Sequence, residues 1–310
     1  MHASTPSRNK RRGLIGPQAD PDFQTISSPS IRTRVGLAHL VFHIQRGMQR
    51  YVGRPISALL LTLWMRNWPG AGWVEKIGLP RQHLDVLLGA DVLVRWLDPR
   101  SVIQFAMHPP GTRRKPPSWA FLHDGDWDLC RVDLRDDYAL KFVRDLSTHR
   151  HALHKTERYR ELMQRIQEGR PFRSHQEGFV LDTREQVLGW LTIYLGFLDR
   201  MAAQGYDEQR AKDYPGIAIT RTGTIVKVRR GAHRLAMAQW LGLPRLPMKI
   251  HYVHRLWWEQ VTAGTRGEAA LTRVRQALEQ AQPEALPGPL TTQPPLANPD
   301  DAWPDSPDQA

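Results

Sequence analysis

The chain has 310 residues, of which 43 are Lys or Arg and 31 are Asp or Glu, so its formal net charge is +12. Hydrophobic residues make up 41% of the chain, which excludes a wholly disordered polyelectrolyte. The single Cys excludes an internal disulfide and a four-Cys zinc site, and it favours a reducing, cytoplasmic location. The basic excess predicts a polyanionic partner: nucleic acid, nucleotide phosphates or an anionic membrane surface.

Positive charge is concentrated towards the N-terminus. Residues 1–120 hold 17 Lys and Arg against 6 Asp and Glu, whereas residues 281–310 hold 5 acids and no Lys or Arg. The aperiodic start and the eight Pro after residue 280 predict disorder at both ends. We predict four stretches: a disordered basic leader (1–30), a helical basic region (31–120), an organised domain (121–262), and a short helix followed by a Pro-rich, acidic, disordered tail (263–310).

Three helices are predicted in the basic region, at Gly36–Tyr51, Ile56–Asn67 and Arg81–Leu88. The longest apolar run, Ile56–Met65, spans about 15 Å as a helix, roughly half of a bilayer core. We therefore predict no transmembrane segment. A buried helix is the favoured interpretation of this run, and an interfacial anchor is the alternative.

The organised domain mixes helical and strand patterns, which predicts the α/β (α+β) fold class. Two β-branched runs flank a short Gly-containing turn, as in a β-hairpin. A helix that ends before a Gly and an alternating strand come after this hairpin. The predicted elements are helices at Tyr138–Leu146, Glu157–Gln167 and Arg184–Ala203, a hairpin of Ile217–Ile219 with Thr224–Val228, a helix at Ala232–Leu241 and a strand at Leu246–Val253.

Basic residues surround a glycine where the hairpin gives way to the next helix. Gly231 allows a ligand to approach the backbone closely, and the first N–H groups of a helix lack internal acceptors. Arg229, Arg230, His233 and Arg234 add side-chain donors, and Arg can bind a phosphate with two parallel hydrogen bonds. We predict a phosphate-binding turn here. A simple turn with solvated basic residues is the alternative.

The same stretch resembles the ParB/sulfiredoxin family. Val228–Ala238 reads Val-Arg-Arg-Gly-Ala-His-Arg-Leu-Ala-Met-Ala, and Leu-Gly-Leu-Pro and Leu-Pro-Met follow it. This order is similar to the family pattern of G-x-[HR]-R, a helix of small and apolar residues, L-G and a Pro-led strand. The resemblance covers Gly216 to Val253 and implies a ParB/sulfiredoxin-like core in the C-terminal half, preceded by the mainly helical basic region.

The resemblance also implies a ligand. Family members bind the phosphates of ATP or CTP through the Gly and the final basic pair of the motif. These residues correspond here to Gly231, His233 and Arg234, and Arg230 is expected to help neutralise the phosphate charge. Some members are NTP-dependent kinases in which a carboxylate serves as the base. The resemblance thus implies a nucleotide-binding protein, with ATP or CTP as cofactor.

Two well-known family activities are not expected. In sulfiredoxins the residue after the motif Gly is the catalytic Cys, but Ala232 stands there and the only Cys, Cys130, lies far upstream. Chromosome-partition members carry a helix-turn-helix DNA reader after this domain. Only Val261–Gln280 remains here before the Pro-rich tail, which is too short for such a reader.

A second motif, Asp124-Gly125-Asp126-Trp127-Asp128, places three acids in five residues. Asp126 and Asp128 are the residues we expect either to hold Mg²⁺ through their carboxylates or to act as a general base. The alternative is an acidic turn in which Trp127 anchors the core.

Three hypotheses for function follow. The leading one is an NTP-dependent phosphotransferase or NTPase that acts on an unidentified substrate, without sulfiredoxin activity. The alternative is a nucleic-acid-binding or nuclease-like protein that uses the basic N-terminal region. A catalytically inert scaffold that retains the phosphate-binding turn is the third. The nucleic-acid hypothesis depends on the interleaving of Trp64, Trp68 and Trp73 with Arg50, Arg54 and Arg66.

Overall fold

A computed structural model describes residues 19–107, 109, 117–175, 177–210, 213–228, 230–294 and 296–304. Residues 1–18 of the predicted leader and Arg229 of the predicted turn lie outside these ranges. The α/β class is confirmed, because helices and a mixed sheet are both present. The α-helices are α1 (Arg32–Met48), α2 (Arg54–Met65), α3 (Ala71–Ile77), α4 (Arg81–Leu88), α5 (Ala90–Leu93), α6 (Tyr138–Thr148), α7 (Glu157–Gln167), α8 (Arg184–Gln204), α9 (Ala232–Trp240), α10 (Arg255–Thr262) and α11 (Gly267–Gln280).

The strands include several that the sequence analysis did not predict. They are β1 (Val94–Leu97), β2 (Gln104–Met107), β3 (Leu122–His123), β4 (Cys130–Asp133), β5 (Phe172–Ser174), β6 (Phe179–Leu181), β7 (Gly216–Ile219), β8 (Ile225–Lys227) and β9 (Leu246–His254). The region 31–120 is mainly helical, as predicted, and it also contributes the short strands β1 and β2. Their short runs are interrupted by Asp98, Pro99 and Arg100, so no long strand pattern marks them in the sequence.

Contacts divide the chain into two compact units. One consists of Met1–Gln49 with Asp145–Asp199, and the other of Arg50–Arg144 with Arg200–Ala310. The predicted boundaries at residues 30, 120 and 262 differ from this division, because each unit is assembled from two separate stretches of the chain. We refer to them as the first and the second unit.

The first unit is built around aromatic residues. Phe23 lies in a 3₁₀ helix, Pro21–Ile26, and its ring centroid is 5.4 Å from that of Phe179 and 6.1 Å from that of Tyr194. The prediction of a disordered leader is therefore wrong for residues 19–30. One buried ring is enough to fix this segment, because burial of an aromatic side chain removes a large apolar area from water.

The second unit contains the main sheet. Its strand order is β1-β9-β7-β8-β2-β4, and β3 pairs with β9 outside this path. β7 and β8 form the predicted antiparallel hairpin, and β9, which follows α9 in the chain, runs parallel to β7. The predicted hairpin, helix and final strand are thus confirmed as local elements.

The start of the Pro-rich tail departs from the predicted disorder, because residues 281–293 form hydrogen bonds with other parts of the second unit. Ile225 N–H donates to the carbonyl of Gln282, and Glu284 N–H donates to that of Ile225. Arg131 forms a 3.1 Å ion pair with Glu284. Composition predicted disorder here because few apolar groups are present, but an extended Pro-containing segment can pair with a strand by its backbone alone.

α2 buries Leu61 and Trp64, as expected for a buried helix, although Ile56 and Leu59 near its start are exposed. Within the ranges that the structure describes, no helix combines the length and apolar character needed to cross a membrane.

Candidate functional site

Gly231 marks the start of α9 and has a left-handed backbone, with φ at 72°. A Cβ at this position would lie 2.8 Å from Cα of Pro215, so a side chain would collide with backbone. Arg230 is also left-handed, at φ 78°, which costs a residue with a side chain about 1–2 kcal/mol. Two successive left-handed residues turn the chain sharply from β8 into α9, and strained backbone of this kind is common at functional sites.

A buried lysine holds this turn from inside. Lys227 is fully buried, and its Nζ donates hydrogen bonds to the carbonyls of Val228 and Arg230, the latter at 2.6 Å. Burial, reinforced by the charge of Arg234, lowers the pKa of Lys227 to about 7. The carbonyl of Arg230 also accepts from Gly216 N–H, so the turn is tied both to β7 and to the lysine.

Two arginines of the predicted motif converge on one carboxylate, that of Asp213. Arg234 donates through Nη2 to Oδ1 of Asp213 and through Nη1 to its main-chain carbonyl. Arg230 Nη1 lies 3.2 Å from Oδ2 of the same side chain. Burial raises the pKa of Asp213, but the hydrogen bonds and charges of the two arginines outweigh it and leave that pKa below its ordinary value. An anion therefore already occupies this place in the form of a side chain.

His233 has different surroundings from the arginines. Its ring packs edge-on against Phe142, with the centroids 5.6 Å apart, and against Tyr138. The structure thus places Arg230, Gly231 and Arg234 of the predicted set around Asp213, and His233 beside aromatic rings.

A cavity of about 430 Å³ adjoins Arg230. It lies between the β1–β9 edge, α4, α5 and the segment that precedes β7. Two ion pairs lie on its walls, Lys249 with Asp85 and Arg230 with Asp213, and Glu208 accepts a hydrogen bond from Tyr214. The lining residues are Asp85, Ala90, Leu93, Val94, Glu208, Asp213, Tyr214, Arg230, Lys249 and His251.

Two buried polar atoms of these walls have no hydrogen-bond partner among the described residues: Oδ1 of Asp85 and Nε2 of His251. The other oxygen of Asp85 accepts from Lys249 Nζ at 2.7 Å. Burial, together with the nearby charges of Arg81 and Lys249, lowers the pKa of His251 to about 4, so its ring is neutral at pH 7. Unpaired buried polar atoms are costly, and a ligand that bonds to them relieves that cost.

Sequence reasoning missed four of these residues: Asp85, Asp213, Lys249 and His251. The alternation of β9 was recognised, and it places Lys249 and His251 on one face of the strand. Nothing local indicates that this face borders a cavity, because the opposite walls come from Asp85 and from the segment around Asp213.

The acidic motif forms a separate cluster around Arg221. Asp128 is fully buried, and its two oxygens accept from the Arg221 side chain at 2.8–3.1 Å and from the Arg221 N–H at 2.8 Å. Asp126 is exposed and lies 3.1 Å from the same guanidinium. The hydrogen bond to Asp128 is the main cause that raises the pKa of Arg221. Trp127 is buried against Ala218, Val226 and Val228, as the alternative interpretation of this motif expected.

The acidic cluster and the glycine turn lie at opposite ends of the β7–β8 hairpin. Arg221 is in the tight turn next to the Ile219–Ile225 pair, whereas Gly216, at the other end, bonds to Val228 and Arg230. The three residue steps between these ends span about 10 Å at the rise of a strand. The expectation that Asp126 and Asp128 act on a phosphate held at Gly231 therefore has no support in the fold.

The geometry also does not favour the Mg²⁺ role of Asp126 and Asp128, because both carboxylates already bond to the guanidinium of Arg221. In the described part of the chain, no three His, Cys, Asp or Glu side chains are grouped so that they could hold a metal ion.

The fold and site define an α/β protein in which two arginines near a helix start converge on one carboxylate beside a cavity. Comparison with protein-family models, curated proteins and solved structures finds no match for this chain. The ParB/sulfiredoxin resemblance thus remains an expectation from the sequence.

Proposed function

We propose that this protein binds a nucleotide, ATP or CTP, with its phosphates at the start of α9 and the remainder in the adjoining cavity. One observation carries the proposal: Arg230 and Arg234 hold a single carboxylate at the left-handed turn of Gly231. Carboxylate and phosphate oxygens are recognised by the same guanidinium geometry. A site that binds the first is therefore suited to the second.

The position of the cavity supports the same proposal. Its volume of about 430 Å³ lies within the range of small-molecule pockets, which is roughly 300–1,000 Å³. Arg230 belongs both to the carboxylate contact and to the cavity wall, so a ligand held by its phosphate at Arg230 would extend into the cavity. Asp85 and His251, each with one unpartnered side-chain atom, are among the residues that line it. A nucleoside offers hydroxyl and amino groups that can pair with both atoms.

Asp213 competes with the ligand in this proposal. Its carboxylate is where a phosphate oxygen would be held, so binding requires Asp213 to leave the two arginines. Neutralising Asp213 weakens its hold on them and lessens the repulsion of an anion. Asp213→Asn is therefore expected to bind nucleotide more tightly than the natural chain.

Phosphoryl transfer or NTP hydrolysis is the reaction class that the resemblance implies. We propose this reaction class for the site at Gly231. Asp126 and Asp128 bond to Arg221 at the other end of the hairpin, about 10 Å away along β7, so we do not assign them as the base. His251 lines the cavity and is neutral at pH 7, but a pKa of about 4 makes its ring a weak base, so the chain's proton acceptor stays unassigned. Binding without turnover across a panel of acceptors would instead support the inert scaffold.

Isothermal titration of the full chain with ATP and with CTP, each with and without Mg²⁺, tests the binding step. Arg234→Ala removes charge-assisted hydrogen bonds that are worth about 1.5–3 kcal/mol each, so we expect Kd to rise at least about tenfold. Arg245→Ala is the matched control, because Arg245 is exposed and follows the opposite end of α9. Equal affinities in the natural chain, Arg234→Ala and Asp213→Asn would refute the proposal, as would the absence of binding by all three.

The nucleic-acid alternative retains part of its support. Trp64 is buried, but Trp68 and Trp73 are 46% and 59% exposed, and the guanidinium of Arg66 lies 5.0 Å from the ring of Trp68. Exposed aromatic rings beside Arg are the usual elements of single-strand binding. The anisotropy of a labelled single-stranded RNA should then fall steeply as salt increases and should be reduced by Trp73→Ala.

A further inference from the structure

Among the residues that the structure describes, the buried cluster of α1 lies near its first turn. Of the α1 side chains whose burial is described, Val35 alone is buried, and it packs with Ile31 and Val180. The helix continues for more than three turns beyond Val35. Most of its length is therefore surface.

The exposed part of α1 carries a continuous apolar stripe. Its members recur at the positions i, i+3, i+4, i+7 and i+11, which fall within an arc of about 100° on a helix. All are large, and their exposed fractions range from 42% to 65%. They are Leu37, Leu40, Val41, Ile44 and Met48. Contiguous apolar surface of this kind marks an interaction site rather than ordinary scatter.

Charge on and around α1 has a single sign. His39, His43 and Arg46 lie on the face opposite the stripe, and Arg34 flanks it. Between Asp22 and Glu75 the chain has six Arg and no Asp or Glu. The stripe therefore lies in a stretch that can pair only with anions supplied from outside it.

This charge distribution distinguishes between two occupants of the stripe. If a second copy packed its stripe against this one, two basic stretches without a single acid would come together, and their charges would repel. An anionic bilayer suits both the positive charge and the apolar stripe. Its headgroups pair with Arg, and the boundary of its acyl chains buries the large aliphatic side chains. We propose that α1 lies in the interface of a membrane that carries anionic headgroups.

Flotation of the full chain with lipid vesicles tests this assignment. Vesicles of phosphatidylcholine with about one third phosphatidylglycerol should bind the protein at least about tenfold better than pure phosphatidylcholine vesicles, and added salt should weaken that binding. Leu40→Glu with Ile44→Glu should abolish flotation. Both side chains are exposed, so the melting temperature should not change.

His39→Glu with His43→Glu is the matched control. It adds the same two negative charges to α1 but leaves the stripe intact, so it should weaken flotation less than the stripe variant does. Equal losses in the two variants would overturn the proposal, since charge alone would then explain binding.

Two other results would also overturn it. In the first, the natural chain does not float with either vesicle, and sedimentation velocity shows a dimer that the stripe variant dissociates, which would assign the stripe to a second copy. In the second, a single-stranded RNA binds α1 but vesicles do not, so that the stripe variant reduces RNA affinity alone. Both measurements use the same full-length variants.

Discussion

The two ends of the β7–β8 hairpin each join an acid to an arginine, yet the two pairs differ in what surrounds them. At the turn, Asp128 is fully buried and several donors of Arg221 satisfy it. At the open end, Asp213 is only partly buried, holds two arginines and faces a cavity with unpaired polar atoms. The first arrangement is complete without a ligand, whereas the second has capacity for one. Completeness of hydrogen bonding therefore separates a structural ion pair from a candidate binding site.

The largest expected effect is a loss of stability when the ion pair at the turn of the hairpin is broken. Asp128→Ala removes the acceptor of the Arg221 N–H and leaves a partly buried guanidinium without its main partner. Hydrogen bonds to a charged group contribute about 1.5–3 kcal/mol each and Asp128 accepts several, so we expect a loss of at least about 3 kcal/mol in urea-induced unfolding.

Asp126→Ala is the control, since Asp126 is exposed and an exposed ion pair contributes at most about 1 kcal/mol. Its nucleotide affinity should equal that of the natural chain. A large loss of affinity or turnover in Asp126→Ala would contradict the separation of the two ends and return the chemistry to the acidic cluster.

The second effect is a pH dependence of the unfolding free energy, which arises from His251 in the cavity at the open end of the hairpin. The pKa of His251 is about 4 in the folded chain and near 6.5 when the chain is unfolded. Between these values the unfolded state binds the extra proton, so stability is fully present above pH 6.5 and falls as the pH drops towards 4. The loss amounts to about 3 kcal/mol at most. His251→Gln cannot titrate, and the pH profile of its unfolding free energy should be flatter by this amount.

The measured quantity is the difference between the pH profiles of the natural chain and of His251→Gln. The contributions of acids that both proteins share cancel in this difference. Parallel profiles from pH 4 to 7 would show that the His251 ring is not shielded from water, and the cavity would then lose one of its two unpaired atoms.

Local elements of this site could be predicted from the sequence, but its completion could not. The turn at Gly231 and the helix Ala232–Trp240 depend on neighbouring residues, namely a strand end, a Gly and a run of helix formers. The carboxylate on the arginines comes from Asp213, about 20 residues upstream. The cavity depends on pairing between Val94 and Lys249, which joins positions more than 150 residues apart. Pairings over such separations are set by packing, not by local pattern.

The ends of the chain teach a related lesson. Composition predicted disorder for residues 19–30 and after 280, yet Phe23 is buried and Glu284 pairs with Arg131. A low average of apolar residues does not exclude order where one ring or a few backbone bonds find a partner on a preformed surface.

The smallest expected effect is a difference in stability between two Gly→Ala variants, one at each end of the hairpin. Gly125 and Gly231 are both left-handed, at φ 88° and 72°, so an Ala at either position costs about 1–2 kcal/mol in backbone strain. The space around Gly125 is open, but a Cβ at Gly231 meets Pro215. Gly231→Ala should therefore be less stable than Gly125→Ala by about 2 kcal/mol, the usual cost of overpacking, in thermal or urea unfolding. Its nucleotide affinity should also fall, because the backbone of the turn must shift, whereas Gly125→Ala should bind as the natural chain does. Equal stabilities would show that Pro215 can yield, and the close approach at Gly231 would then no longer explain why a glycine stands there.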